Sequence, residues 1–173
     1  MYTDATPNFW GAKGIQPNGV RQGSVGDCWF LASASALAEV PERVKRVVWN
    51  DSYDKNGAFR FNFWVKNKWH GVNIDDRLPA NSYGRPFSTS RSANGAWWMP
   101  LMEKAYAKLD QNYERIIGGM GYEGLRTLTG MPTVYLNHNY GTNATAVAES
   151  FTLLKALSKK NFPMTTPCCH NGG

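Results

Sequence analysis

At 173 residues the chain is long enough for one well-buried domain with a fragment of a second, and no apolar run approaches the roughly 20 residues of a membrane-spanning helix. Its formal charge is +6 and its pI about 9.3, but Lys and Arg are scattered, so they draw no nucleic-acid footprint and leave only a basic surface suited to acidic partners. Three cysteines make no disulfide framework, and with the polar start Met1-Tyr2-Thr3-Asp4 they point to a soluble protein of a reducing, cytoplasmic compartment.

Residues 1 to 21 carry Pro7, Gly11, Gly14, Pro17 and Gly19 with no sustained period, which predicts an irregular leader anchored by Phe9 and Trp10. The stretch Gln22 to Glu39 is organised differently. Gly23 and Gly26 permit positive φ angles and close backbone approach, Asp27 stands at an N-cap, and a helix starts at or near Cys28. Phe30, Leu31, Ala34, Leu37 and Ala38 recur at helical spacing, and the small residues among them predict a buried helix. A thiol in the first turn lies beside unpaired backbone N–H groups and the positive end of the helix dipole, both of which stabilise negative charge on sulfur. The N–H of Cys28 and the side-chain amide of Gln22 are then two candidate donors to an oxyanion. A free cysteine is also among the most buried residue types, so spacing alone leaves a core cysteine and a nucleophile both open.

Downstream, Pro41 opens a short helix with Val44, Val47 and Val48 as its inner face. Ser52, Asp54, Asn56 and Gly57 imitate the opening of a calcium loop, but Phe63 stands at the twelfth position, so a turn before a strand is expected. Phe59 to Lys66 alternates as a half-buried strand does, and Trp69 to Ile74 returns antiparallel across a turn at Asn67. Asp75 and Asp76 point to opposite faces in such a run, which favours a structural ion pair with Arg77 over an acid–base pair, and His70 reads as a surface residue of the hairpin. Asn81 to Gly95 reads as a long loop.

Trp98, Leu101, Met102, Ala105, Tyr106 and Leu109 define an amphipathic helix expected to pack against the Cys28 helix. Gly118, Gly119 and Gly121 punctuate a loop where an extended peptide could approach the backbone, though turn glycines read the same way. A short helix around Glu123 to Leu128 ends at Gly130, and Val134 to Leu136 is expected to be extended. Residues 141 to 146 form a polar link, and Val147, Phe151, Leu154 and Leu157 mark a last helix whose C-terminal dipole is met by Lys155, Lys159 and Lys160. The tail Cys168-Cys169-His170 lacks a fourth metal ligand and is expected to be disordered.

Gln22-Gly23-x-x-Gly26-Asp27-Cys28-Trp29-Phe30-Leu31 resembles the active-site signature of the calpain family of cysteine proteases. Three more stretches are similar to that family in the same order: Ile74 to Pro79, Trp98 to Lys108, and Gly118-Gly119 with Tyr122-Glu123-Gly124-Leu125 and Leu128-Thr129-Gly130. The resemblance implies an α/β, papain-like half, a helical bundle around the nucleophile helix with a small antiparallel sheet. It implies Cys28 as nucleophile, Gln22 as oxyanion donor, and Trp29, Gly118 and Gly119 at the bound polypeptide substrate. Residues 1–140 are expected to form the first catalytic subdomain and 141–173 the truncated start of the second.

In the calpain family the catalytic histidine and asparagine lie in the second subdomain, in Gly-His-Ala-Tyr-like and Asn-Pro-Trp-Gly-like contexts. His70, His138 and His170 match neither, so the resemblance implies a second catalytic subdomain of the same parent protein as partner, and an isolated chain that is inactive. The alternative is a catalytically silent calpain-like protein-interaction module. No cofactor is expected: conventional calpains hold Ca²⁺ in this subdomain through carboxylates whose matching positions here are Gly19 and Ala96, so that site is predicted absent.

Overall fold

Alternation along one strand sets the centre of the molecule. In a computed structural model, which describes residues 8–83, 87–88, 95–136 and 144–166, strand β1 (Ala58–Val65) buries Phe59, Phe61 and Phe63 and turns Arg60 to solvent. Strand β2 (Lys68–Asp75) returns antiparallel, with Phe61 opposite Val72 and Phe63 opposite His70. Lys66 and Asn67 between them have φ of 50° and 60°, the left-handed pair that a two-residue hairpin turn needs to match strand twist.

Five helices accompany this hairpin among the described residues: α1 (Cys28–Ala38), α2 (Pro41–Val47), α3 (Trp98–Leu109), α4 (Gly121–Thr129) and α5 (Ala144–Lys159). The fold is mixed α/β, as expected. Pro41 starts α2, where its fixed φ suits the first turn, and Val44, Val47 and the following Val48 are buried. Helix α4 stops at Gly130, whose φ of 69° lets its N–H reach back to the Arg126 carbonyl. Helix α1 packs chiefly on α4 and α2, while α3 lies over both strands.

The α3 placement departs from expectation. It meets α1 mainly through Tyr106, which stacks on Phe30 with centroids 4.2 Å apart and meets Trp29 edge-on at 5.8 Å. The remainder covers the hairpin because two lysines on the helix reach β2. Lys108 donates to the Asn73 carbonyl at 2.7 Å and Lys104 to the Asp75 carbonyl at 2.9 Å. Phe30, Phe61 and Phe63 are wholly buried in the resulting core, each worth about 1.5–3 kcal/mol of transfer free energy.

The leader is fastened as predicted. Phe9 is buried and stacks on Phe59 at 5.4 Å, its carbonyl accepts the N–H groups of Trp97 and Trp98, and the Trp10 indole donates to the Asp51 carbonyl. Asp75 pairs with Lys104 rather than Arg77, which contributes its backbone N–H to the Asp75 carboxylate at 2.9 Å. That lysine hydrogen bond holds Asp75 below the usual carboxylate range. Asp76 instead accepts from the Tyr53 hydroxyl.

Val134 to Leu136 forms no strand and is exposed. Helix α5 forms where its pattern predicts, yet none of its residues is buried, and Val147, Phe151, Leu153 and Leu154 face solvent. The segment after it returns to the body, with Arg43 donating to the Asn161 carbonyl and Thr165 beside Gly121. Of the link expected over 141–146, residues 144–146 instead open α5, while 141–143, most of the Asn81–Gly95 loop, His138 and the tail Cys168-Cys169-His170 lie outside the described residues.

Candidate active site

Helix α1 is covered along its whole length except at one residue. Cys28, its first, is exposed, Trp29, Ala32, Ser35 and Ala36 are partly covered, and the others are buried. The helix starts there because the Asp27 carbonyl accepts the N–H groups of Phe30 at 2.9 Å and Leu31 at 3.1 Å. That leaves the N–H of Cys28 without an acceptor among the described residues, as a first-turn donor should be. The thiol thus stands at the surface, beside an open backbone donor.

The loop before Cys28 is held from both sides. Ser24 donates its N–H to the Phe87 carbonyl at 2.8 Å, and a Cβ on Gly23 would fall 2.0 Å from the Ser88 carbonyl oxygen. Gly26 lends its carbonyl to the Gly118 N–H at 3.0 Å, and a Cβ there would come 3.2 Å from Ile117. Neither glycine has a positive φ, so close approach of neighbouring segments accounts for both, and the positive-φ expectation was wrong.

Gln22 is exposed near the start of this loop and donates one side-chain N–H to the Val25 carbonyl at 3.0 Å. Its amide nitrogen carries a second hydrogen. The loop 116–119 meets the other side of Cys28's neighbours. The Trp29 indole donates to the Ile116 carbonyl at 3.0 Å and lies so close to Gly119 that an added Cβ would meet the ring at 2.4 Å. Trp29, Gly118 and Gly119 are therefore brought together, with both glycines exposed. The Gly118 N–H is committed to Gly26, while its carbonyl and the exposed Gly119 backbone make no hydrogen bond among the described residues. Gly118 has φ of 74°, a conformation that keeps this turn to glycine.

His70 is not part of this assembly; its Nε2 lies 3.1 Å from the Val65 carbonyl at the hairpin turn. Asp27 departs most from its sequence reading. It occupies the N-cap position, but its carboxylate makes no cap hydrogen bond and is wholly buried. It faces Glu103 of α3, equally buried, and burial pushes its carboxyl up although the Glu103 hydrogen bond opposes the shift. Sequence reasoning missed this pair, and a signal existed: Glu103 interrupts the apolar face of α3 between Met102 and Ala105. Burial, then the charge of Asp110, raises the Tyr106 phenol to about 12, which keeps it neutral where it stacks on Phe30.

A family model described as calpain family cysteine protease matches residues 2–171 of this chain. The chain belongs to the calpain family. Calpain-14 of Homo sapiens is 42% identical over 136 residues, which are 77% of this chain and 20% of that protein. Calpain clp-1 of Caenorhabditis elegans is 43% identical over 121 residues, 68% of this chain and 15% of that protein. The calpain-type cysteine protease DEK1 of Arabidopsis thaliana is 42% identical over 115 residues, 66% of this chain and 5% of that protein. The chain thus spans a fifth or less of these curated relatives. Its mixed α/β architecture fits the papain-like core of calpains. No described helix is long and apolar enough to cross a membrane.

Proposed function

We propose that this chain is the nucleophile-bearing part of a calpain-type cysteine endopeptidase, with residues 1–140 forming the first catalytic subdomain and 141–173 opening the second. The reading rests above all on Cys28, the one exposed residue of an otherwise covered helix, in a chain of this protease family. In the proposed reaction the Cys28 sulfur attacks the scissile carbonyl carbon of a polypeptide. The oxygen takes up negative charge between the Cys28 N–H and the free hydrogen of the Gln22 amide. The tetrahedral intermediate collapses with loss of the amine, and water then hydrolyses the thioester.

Acylation needs a group to take the thiol proton and return it to the leaving amine, and hydrolysis of the thioester needs the same group to take a proton from the attacking water and return it to the departing sulfur. His70 is held at the hairpin turn, so the proposal assigns that role to a histidine of a second subdomain in the parent protein, oriented by an asparagine. The extended peptide would lie along Trp29 and the exposed backbone of Gly118 and Gly119. Calcium has no place in this scheme. Gly19 sits in a 3-10 turn (Pro17–Gly19) and Ala96 is buried beside Asn8, and neither position offers the carboxylate oxygen a hard cation requires. A cytoplasmic location goes with the same reading.

The test is hydrolysis of a fluorogenic peptide by the 173-residue chain and its Cys28→Ala variant. The proposal expects no turnover from either, because general acid–base help worth roughly 10²–10⁴ in rate is missing. Turnover that vanishes in Cys28→Ala would place the base inside this chain, among His70, His138 and His170, and would overturn the division of labour.

A further inference from the structure

Behind the exposed cysteine stands a group that the reaction above does not use. Asp27 precedes Cys28, opens α1 with its carbonyl, and turns its side chain inward to α3, where it meets Glu103. Both residues have no solvent exposure. Among the described residues, neither Asp27 oxygen receives a hydrogen bond from a donor of another residue, and the carboxylate does not bend back to cap its own helix. Asp27 itself cannot rest ionised against the Glu103 carboxylate in such a place: burial penalises its charge, the neighbouring charge repels it, and two acceptors make no hydrogen bond. The arrangement becomes self-consistent when Asp27 holds a proton and donates it to Glu103.

We propose that protonated Asp27 donates a buried hydrogen bond to Glu103 that pins the Cys28 end of α1 to α3, making Asp27 a positioning residue for the nucleophile. The positioning claim rests on the reading of Cys28 as the nucleophile. The hydrogen bond itself does not. Its geometry complements the other restraints on this loop, the Ser24–Phe87 and Gly26–Gly118 backbone bonds, which act upstream of the thiol and on its far side. A neutral Asp27 also places no negative charge next to a sulfur that must carry one.

Among the described residues, the groups facing Asp27 are Glu103 from α3 and Tyr113 from the segment after it. The Tyr113 phenol is pushed up by burial and then by the two neighbouring carboxyls, with the Ser88 hydroxyl beside it opposing the shift. It therefore stays neutral across the working range and does not compete as the titrating group. The direction of the pH effect follows. A carboxyl that is neutral in the folded chain contributes most below about pH 4, where the unfolded chain also keeps its proton, and loses that contribution as pH rises to the folded value.

Infrared difference spectroscopy and urea unfolding of the full chain and three variants test the proposal. At neutral pH the unsubstituted chain should show the carbonyl band of a buried protonated carboxylic acid, absent from Asp27→Asn and Glu103→Gln. Its unfolding midpoint should fall as pH rises from 4.5 to 7.5, on the scale of roughly one ionisation. Asp27→Asn, whose amide can donate to Glu103 at every pH, should lose that slope and keep the rate at which iodoacetamide labels Cys28. Asp27→Ala should be less stable throughout and label Cys28 at an altered rate.

A missing acid band, or equal pH slopes for the unsubstituted chain and Asp27→Asn, would overturn the shared hydrogen bond. If the variants fail to fold, the band in the unsubstituted chain decides the matter alone. Unchanged labelling in a folded Asp27→Ala would overturn the positioning role while leaving the bond standing. A Cys28 that labels no faster than a free thiol in every variant would count against the nucleophile and not against the pair.

Discussion

Replacing Gly119 by alanine probes the contact between the Cys28 neighbourhood and the 116–119 loop. The new methyl carbon would lie 2.4 to 2.9 Å from three atoms of the Trp29 indole. Trp29 has little room to retreat, since its ring meets Phe30 and Tyr106 edge-on and its N–H holds the Ile116 carbonyl. Gly119 has no positive φ, so the backbone itself accepts alanine and the penalty is steric. Overpacking costs about 1–3 kcal/mol, and losing the indole hydrogen bond costs about 0.5–1.5 kcal/mol more. The stiffer unfolded chain offsets about 0.4–1 kcal/mol. The net expectation is a loss of about 2 kcal/mol, read as a lower urea midpoint at unchanged m-value. In a Trp29→Leu background the methyl should cost little, so a double-mutant cycle should return a coupling of about 2 kcal/mol. Equal costs in the two backgrounds would refute the argument.

Phe30→Ala, which empties the contact among Phe30, Phe63 and Tyr106, should destabilise the chain by about 3–5 kcal/mol in the same unfolding assay. Lys104→Met should remove a contribution of Asp75 that is present above about pH 4 and lost as pH falls through its lowered folded value. The carboxylate is largely exposed, so the effect should stay below about 1 kcal/mol and be seen as a shallower acid limb in thermal melts. Calorimetric titration with Ca²⁺ should give no saturable site near micromolar affinity. Such a site, if lost on mutation around Gly19 or Ala96, would show that backbone carbonyls and neighbouring side chains replace the missing carboxylates.

Local patterns made much of this fold legible. The strand alternation from Phe59 to Phe63, the turn at Asn67, the Pro41 start of α2 and the Gly130 stop of α4 all express rules that act within a few residues. What stayed hidden depends on partners far away in the chain. Asp75 takes Lys104 as its partner across 29 positions, where sequence proximity favoured Arg77. Asp27 has the residue type and place of an N-cap, yet its carboxyl is buried beside Glu103 instead of capping the helix, and nothing near Asp27 announces that neighbour. For Gly23 and Gly26 the expected close approach holds and the positive φ does not, and the approaching partners, Ser88 and Ile117, become visible only when those segments are folded back. Helix α5 shows the converse limit. Its periodicity predicts a helix, but periodicity does not say what covers the stripe.

The central claim is that the Cys28 sulfur attacks the peptide bond. Its most direct test is kcat/KM for a fluorogenic peptide in a protein that joins this chain to a histidine-bearing second subdomain, compared with the same protein carrying Cys28→Ala. Because a nucleophile and its base act as a unit, the account predicts a loss of at least about 10³-fold with folding intact. A Cys28→Ala protein that retains activity within about tenfold would contradict it.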